Sequence, residues 1–172
     1  MRSADPGIRI EPLAVEHEAE VLAFELANRA FFARTIGDRG DEYFAAFPRQ
    51  HAERVAENEA GTCMMFVVRD AGGALVGRVN LVDVEHGSAT LGYRFAEAAT
   101  GRGYAKAAVA LALEVAVRRA VSTVTAMTTV DNLASRRVLT VNGFEEQSSG
   151  SPSSLTIDGE EKPIVHYRRT LA

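Results

Sequence analysis

Gly101 and Gly103 stand between a strand-like run that ends at Phe95 and a strongly apolar, alanine-rich run that starts at Tyr104. A turn of this kind can hold a phosphate. Glycines let backbone N–H groups approach an anion without a Cβ in the way, and a helix starting at Tyr104 aims its positive dipole end at the same point. Thr100-Gly101-Arg102-Gly103-Tyr104-Ala105-Lys106 therefore reads as the loop of a phosphorylated cofactor, with Arg102 and Lys106 adding positive charge. A dinucleotide fingerprint fits poorly: the position four beyond Gly101 is Ala105, the third-glycine position is Lys106, and the loop lies far from the first strand. A second group, Asn132 and Ser135, opens a helix, where Asn132 can serve as the cap with Ser135 in the first turn.

The elements that must position these residues follow from periodicity. Ile8 to Glu11 alternates like a sheet edge and ends at Pro12, after which a helix is expected from about Val15 to Phe32, with Val21, Leu22, Phe24, Leu26, Ala27, Ala30 and Phe31 at helical spacing. Gly37 to Gly40 breaks the pattern, and a more polar helix from about Asp41 to Glu59 follows, kinked or divided by Pro48. Cys63 to Arg69 and Leu75 to Val84 read as an antiparallel pair around Asp70 to Gly73, and Thr90 to Phe95 as a third strand leading into the glycine turn. Tyr104 to Arg119 lacks any breaker and is apolar nearly all round, so a deeply packed helix is expected. Thr123 to Val130 is a β-branched strand, and the helix opened by Asp131-Asn132 closes at Asn142-Gly143. Ser148 to Ser154 reads as a mobile polar loop, before two short strands, Leu155 to Ile157 and Ile164 to Arg168, around Asp158-Gly159.

The 172 residues are 47% hydrophobic and 24% charged, which suits one domain spanning 1–172 with a substantial core. A net charge of −4 argues against a general binder of nucleic acid or anionic membrane. Cys63 is the only cysteine, so an intramolecular disulfide is excluded, no Cys/His cluster offers zinc spacing, and no metal is expected. Arg2, Asp5, Glu11 and Glu16 interrupt any apolar run at the start, and no apolar stretch of about 18 residues occurs, so a cytoplasmic setting without a membrane span is expected.

Taken together, four segments resemble the GNAT superfamily of acyl-CoA-dependent N-acetyltransferases, especially its branch that acetylates ribosomal-protein N-termini. They are Leu91-Gly92-Tyr93-Arg94-Phe95 followed by Gly101-Arg102-Gly103-Tyr104-Ala105; Asn132-Leu133-Ala134-Ser135 with Val138 and Asn142-Gly143-Phe144; Asn28-Arg29; and Ile157-Asp158-Gly159 before Val165-His166-Tyr167. The resemblance implies an α+β fold of one GNAT domain. Its mixed, mostly antiparallel sheet of about six to seven strands, flanked by about four helices, would splay between the Thr90 and Thr123 strands to admit CoA.

It further implies acetyl-CoA as co-substrate, bound by Tyr93, Arg94, Phe95, Gly101, Arg102, Gly103, Tyr104, Ala105, Lys106 and Asn132. The acceptor would be a primary amine, either a protein N-terminus or a small molecule, attacking the thioester directly, with Ser135 as general acid. A homodimer is the self-association left open. The chain departs from the family at three places: Thr90 stands where a glutamate often precedes the Leu91 position, Thr100 opens the loop in place of arginine or glutamine, and Leu139 holds the position of a tyrosine acid. The general base is therefore unassigned, with an ordered water in its place, and the alternative is a non-catalytic acyl-CoA-binding protein that has lost its base.

Overall fold

The computed structural model describes residues 5–148 and 153–171. Of the Ser148 to Ser154 stretch read as a loop, residues 149–152 lie outside the described residues. The strands are β1 (Arg9–Pro12), β2 (Met64–Arg69), β3 (Leu75–Glu85), β4 (Ser88–Phe95), β5 (Thr123–Thr129), β6 (Glu145–Gln147), β7 (Ser154–Ile157) and β8 (Glu160–Thr170). The helices are α1 (Glu18–Ala27), α2 (Arg29–Ile36), α3 (Asp41–Ala45), α4 (Phe47–Ala60), α5 (Tyr104–Arg118) and α6 (Leu133–Val141). Strand order is β1-β2-β3-β4-β5-β8-β6, with β7 paired to β8, and every pairing is antiparallel except β4 with β5. The expected α+β class and mixed sheet are therefore present.

The sheet is one strand richer than the seven segments read from the sequence, because Glu145–Gln147 pairs with β8 although all three residues are exposed. A fully exposed edge has no hydrophobic alternation to announce it. The four expected helices become six because the first two divide. The long first helix breaks at Asn28 (φ −109°, ψ 10°), whose side-chain amide donates to Phe24 O and whose Oδ1 accepts from the Glu97 N–H. Such side chains offer the backbone a competing set of hydrogen bonds. The second helix divides at Ala46, which leaves Pro48 in the first turn of α4, where a missing N–H does no harm.

Two layers cover the sheet. On one side Ala108, Val109, Ala112, Leu113 and Ala116 of α5 are buried in a core shared with Phe66, Val68, Val79, Leu81, Leu91 and Val124. On the other, Leu13, Val21, Phe47 and Val55 pack on Met65 and Val67 of β2. Strand β2 is apolar on both faces for this reason, whereas Val117 leaves α5 with one exposed apolar edge. Gly77 permits the tightest approach: a Cβ there would enter the Phe95 ring and stand 2.9 Å from Arg94 O. Among the described residues no helix is long and apolar enough to cross a membrane.

The feature that positions a site is the join between β4 and β5. These strands pair in parallel through only Ser88, Ala89 and Thr90 against Thr123, Val124 and Thr125. Beyond that point Leu91 to Phe95 pair only with β3, and Ala126 to Thr129 only with β8, so the two strands diverge and each presents an unpaired edge to the gap.

Candidate active site

The glycine loop sits at the open end of this gap. Gly101 and Gly103 both have φ of 77°, in the left-handed region that side chains disfavour, and a Cβ on either would meet nothing within 4 Å. Gly103 precedes α5 with no side-chain cap, so the N–H groups of the first turn have no side-chain acceptor from the cap position. Arg102 is exposed and neither it nor Lys106 forms an ion pair among the described residues, while the Lys106 carbonyl accepts from Asn142 Nδ2. Tyr104 and Ala105 pack partly against the α5 core. The loop thus offers backbone donors, room and two unengaged cations to an anion.

In the gap itself the side chains of β4 divide between two faces by strand alternation. Tyr93 faces α6, and its hydroxyl lies 2.8 Å from Ser135 Oγ and donates to Ser135 O at 3.2 Å. Burial pushes the Tyr93 phenol up to about 12, offset in part by the Ser135 hydrogen bond and reinforced by the nearby Tyr167. Asn132 caps α6 by accepting the Ser135 N–H at 3.1 Å, which fixes where the serine hydroxyl projects. Next to them Arg136 Nε donates to the Tyr167 hydroxyl at 3.1 Å. Phe95 is buried in the core, so it has only its backbone to offer a ligand.

Because ionising a buried phenol is opposed in the folded chain, Tyr93 contributes stability that is fully present below pH 10 and is lost as pH rises through about 12. The loss amounts to about 2–3 kcal/mol. Cys63, raised to about 11 by burial and by Glu57, titrates in the same window. The expected result is therefore a difference: in urea unfolding at pH 9 and pH 11.5, Tyr93→Phe loses less stability than the wild type, and equal losses refute the assignment.

The other face of β4 carries Thr90, Gly92 and Arg94. Arg94 does not turn toward the glycine loop. Its guanidinium donates to Glu25 Oε2 at 3.0 Å and lies 5.4 Å from the centre of the Phe32 ring, while Arg78 of β3 donates to Glu25 Oε1 at 2.9 Å. Glu25 is 2% exposed and so ties α1 to both β3 and β4. Thr90 Oγ1 lies 3.4 Å from Thr125 Oγ1, at the point where the strands part. Gly92, Thr125 and Met127 leave this face open, Met127 at 50% exposure. The aromatic residues of the second helical region stack among themselves, Tyr43 on Phe44 at 5.2 Å and on Phe47 at 6.2 Å, and Arg29 covers Phe44.

Sequence reasoning assigned neither Glu25 nor Asn80 nor the Tyr93–Ser135 contact. A signal existed for the first: Glu25 falls one helical turn after Val21, on the buried stripe. Arg78 and Asn80 likewise interrupt, at spacing two, a strand that is otherwise apolar on the same face. The hydroxyl contact joins residues 42 positions apart and has no local signature.

Residues 8–145 match the family model of the acetyltransferase (GNAT) domain. Among curated proteins none matches the chain. Solved structures do. The ribosomal-protein-S5-alanine acetyltransferase of Vibrio fischeri superposes with a TM-score of 0.87 at 16% identity, over 98% of this chain and 95% of that one. RimJ of Mycobacterium smegmatis, in complex with CoA-disulfide, gives 0.82 at 24% identity over 96% and 83%. The spermidine N-acetyltransferase of Vibrio cholerae, in complex with CoA and spermine, gives 0.80 at 17% identity over 96% of each chain. A splayed sheet with a glycine loop at its mouth, and a family model that spans most of the sequence, agree that the chain belongs to the GNAT acetyltransferase family.

Proposed function

We propose that this chain transfers an acetyl group from acetyl-CoA to a primary amine, by direct attack of the amine on the thioester. The observation that carries the reading is the divergence of β4 and β5 immediately beyond Thr90 and Thr125, with the Tyr93–Ser135 pair on one face and an open polar face on the other. In this reading the unpaired strand edges hydrogen-bond the pantetheine arm, and the loop from Gly101 to Lys106 together with the first turn of α5 holds the pyrophosphate. Structures of the same fold in complex with CoA or CoA-disulfide support acetyl-CoA as the co-substrate.

The amine enters from the open face. Its nitrogen bonds to the thioester carbon, the C–S bond breaks, and the thiolate takes a proton on the side of Ser135. Ser135 Oγ supplies it and takes a proton in the same step from the Tyr93 phenol, un-ionised throughout the neutral range and 2.8 Å away, and the phenol is reprotonated from solvent by the equivalent of the proton that the amine gives up. The amine releases its own proton to water, since Thr90 cannot accept one near neutral pH. A thiol-release screen with acetyl-CoA, against peptides with different first residues and against small amines, tests both donor and acceptor. Thiol release with a subset of amines is expected.

The threonine at position 90 favours a second reading, a protein that binds acyl-CoA without turning it over. Saturable acetyl-CoA binding with no thiol release across the whole panel would establish it in place of the first.

A further inference from the structure

Asn80 Oδ1 is closed to solvent and has no hydrogen-bond partner among the described residues. Folded proteins pair nearly all such atoms, so one left over calls for a physical account, a functional role among them. Asn80 stands on β3 directly opposite Gly92 of β4, so its side chain shares the open face with Thr90, Gly92 and Arg94. Gly92 is exposed, and a Cβ added there would meet nothing within 4 Å, which leaves space on this face beside the Asn80 amide. The neighbouring acceptors and most donors are already engaged: Thr90 with Thr125, and Arg78 Nη1 and Arg94 with Glu25, while Arg78 Nε, a donor, is closed to solvent and without a partner among the described residues. Asn80 is the side chain of this patch that has an acceptor oxygen unspent.

We propose that Asn80 receives the acceptor amine, its amide oxygen accepting one amine N–H so that the nitrogen lone pair points across Gly92 at a thioester held along β4. Asn80 is half-buried, and a half-turn about χ2, a broad two-fold torsion, brings the oxygen to the open side. Asn80 stays neutral throughout. It orients the nucleophile and takes no proton, which matches a site whose usual carboxylate position holds Thr90. The inference rests on the amine-acetylation reading above.

The test uses the full chain, acetyl-CoA and the best amine from the thiol-release screen. Asn80→Leu, close in shape, is expected to raise KM for the amine by about tenfold or more, the effect of one lost hydrogen bond to an amine. It should leave the acetyl-CoA Kd within about twofold and the Tm unchanged or higher, because replacing an unpaired acceptor relieves the folded protein of a cost. Asn80→Asp keeps an oxygen in place and is expected to return KM to within about threefold of wild type. An unchanged amine KM in Asn80→Leu overturns the inference while leaving the proposed reaction standing. A fall in Tm together with weaker acetyl-CoA binding also overturns it, by showing a structural role. Absence of thiol release from the wild type with every amine overturns both.

Discussion

Replacing Ser135 by alanine is expected to lower kcat by about a hundredfold or more, within the range usual for a positioned acid, with little change in the acetyl-CoA Kd. The geometry adds a second arm. Tyr93 is 2.8 Å from the serine oxygen, so if the phenol acts through Ser135, Tyr93→Phe costs less than Ser135→Ala, and the double variant is no slower than Ser135→Ala alone. Additive losses would mean that the two hydroxyls act separately. A wild-type kcat in Ser135→Ala would remove the serine from the mechanism and leave the buried phenol as the donor nearest the gap.

The largest effect on stability is expected at Glu25. Its carboxylate is the shared counter-charge of Arg78 and Arg94, and removing it strands two guanidiniums beneath helix α1, one of them buried. Breaking a buried ion pair from one side costs about 3–5 kcal/mol, far more than an exposed pair contributes. For a chain of this length Glu25→Ala should lower Tm by roughly 10 °C. Thermal and urea unfolding check the prediction, and a loss below about 1 kcal/mol would show that solvent reaches and screens the triad. By contrast the exposed pair Arg49–Glu53 should be removable without measurable change.

How far the sequence disclosed this arrangement depended on the range of each interaction. The glycine loop, α5 and the first five strands are governed by local pattern, and they stand within a residue or two of where periodicity puts them, β4 extending two residues earlier. The split of the first helix was illegible because Asn28 is held by Glu97, 69 positions away, and not by any nearby breaker. The loop side of the gap was legible because glycines, a helix start and a capping asparagine are consecutive signals. The open face was not. Its polar groups come from α1, β3 and β4, and only the sheet register brings Asn80 opposite Gly92 or Arg78 opposite Arg94. Residues that look like interruptions of single elements prove to be neighbours of one another.

The short parallel join between β4 and β5 also bears on how the molecule comes apart. Strands β1 to β4 and β5 to β8 form two antiparallel halves, and between these halves the sheet is continuous through three residue pairs alone. Further attachment comes from the packing of α5 and α6 across the seam, from α2 against β7, and from the Gly87 carbonyl, which accepts from the Ser122 and Thr123 N–H groups. Local unfolding follows the weakest set of contacts, so the amides of Ser88 to Thr90 and Thr123 to Thr125 are the place where hydrogen exchange should separate sub-global opening from global unfolding. A ligand spanning the gap clasps both halves at once, and it protects those six residues in proportion to its own affinity.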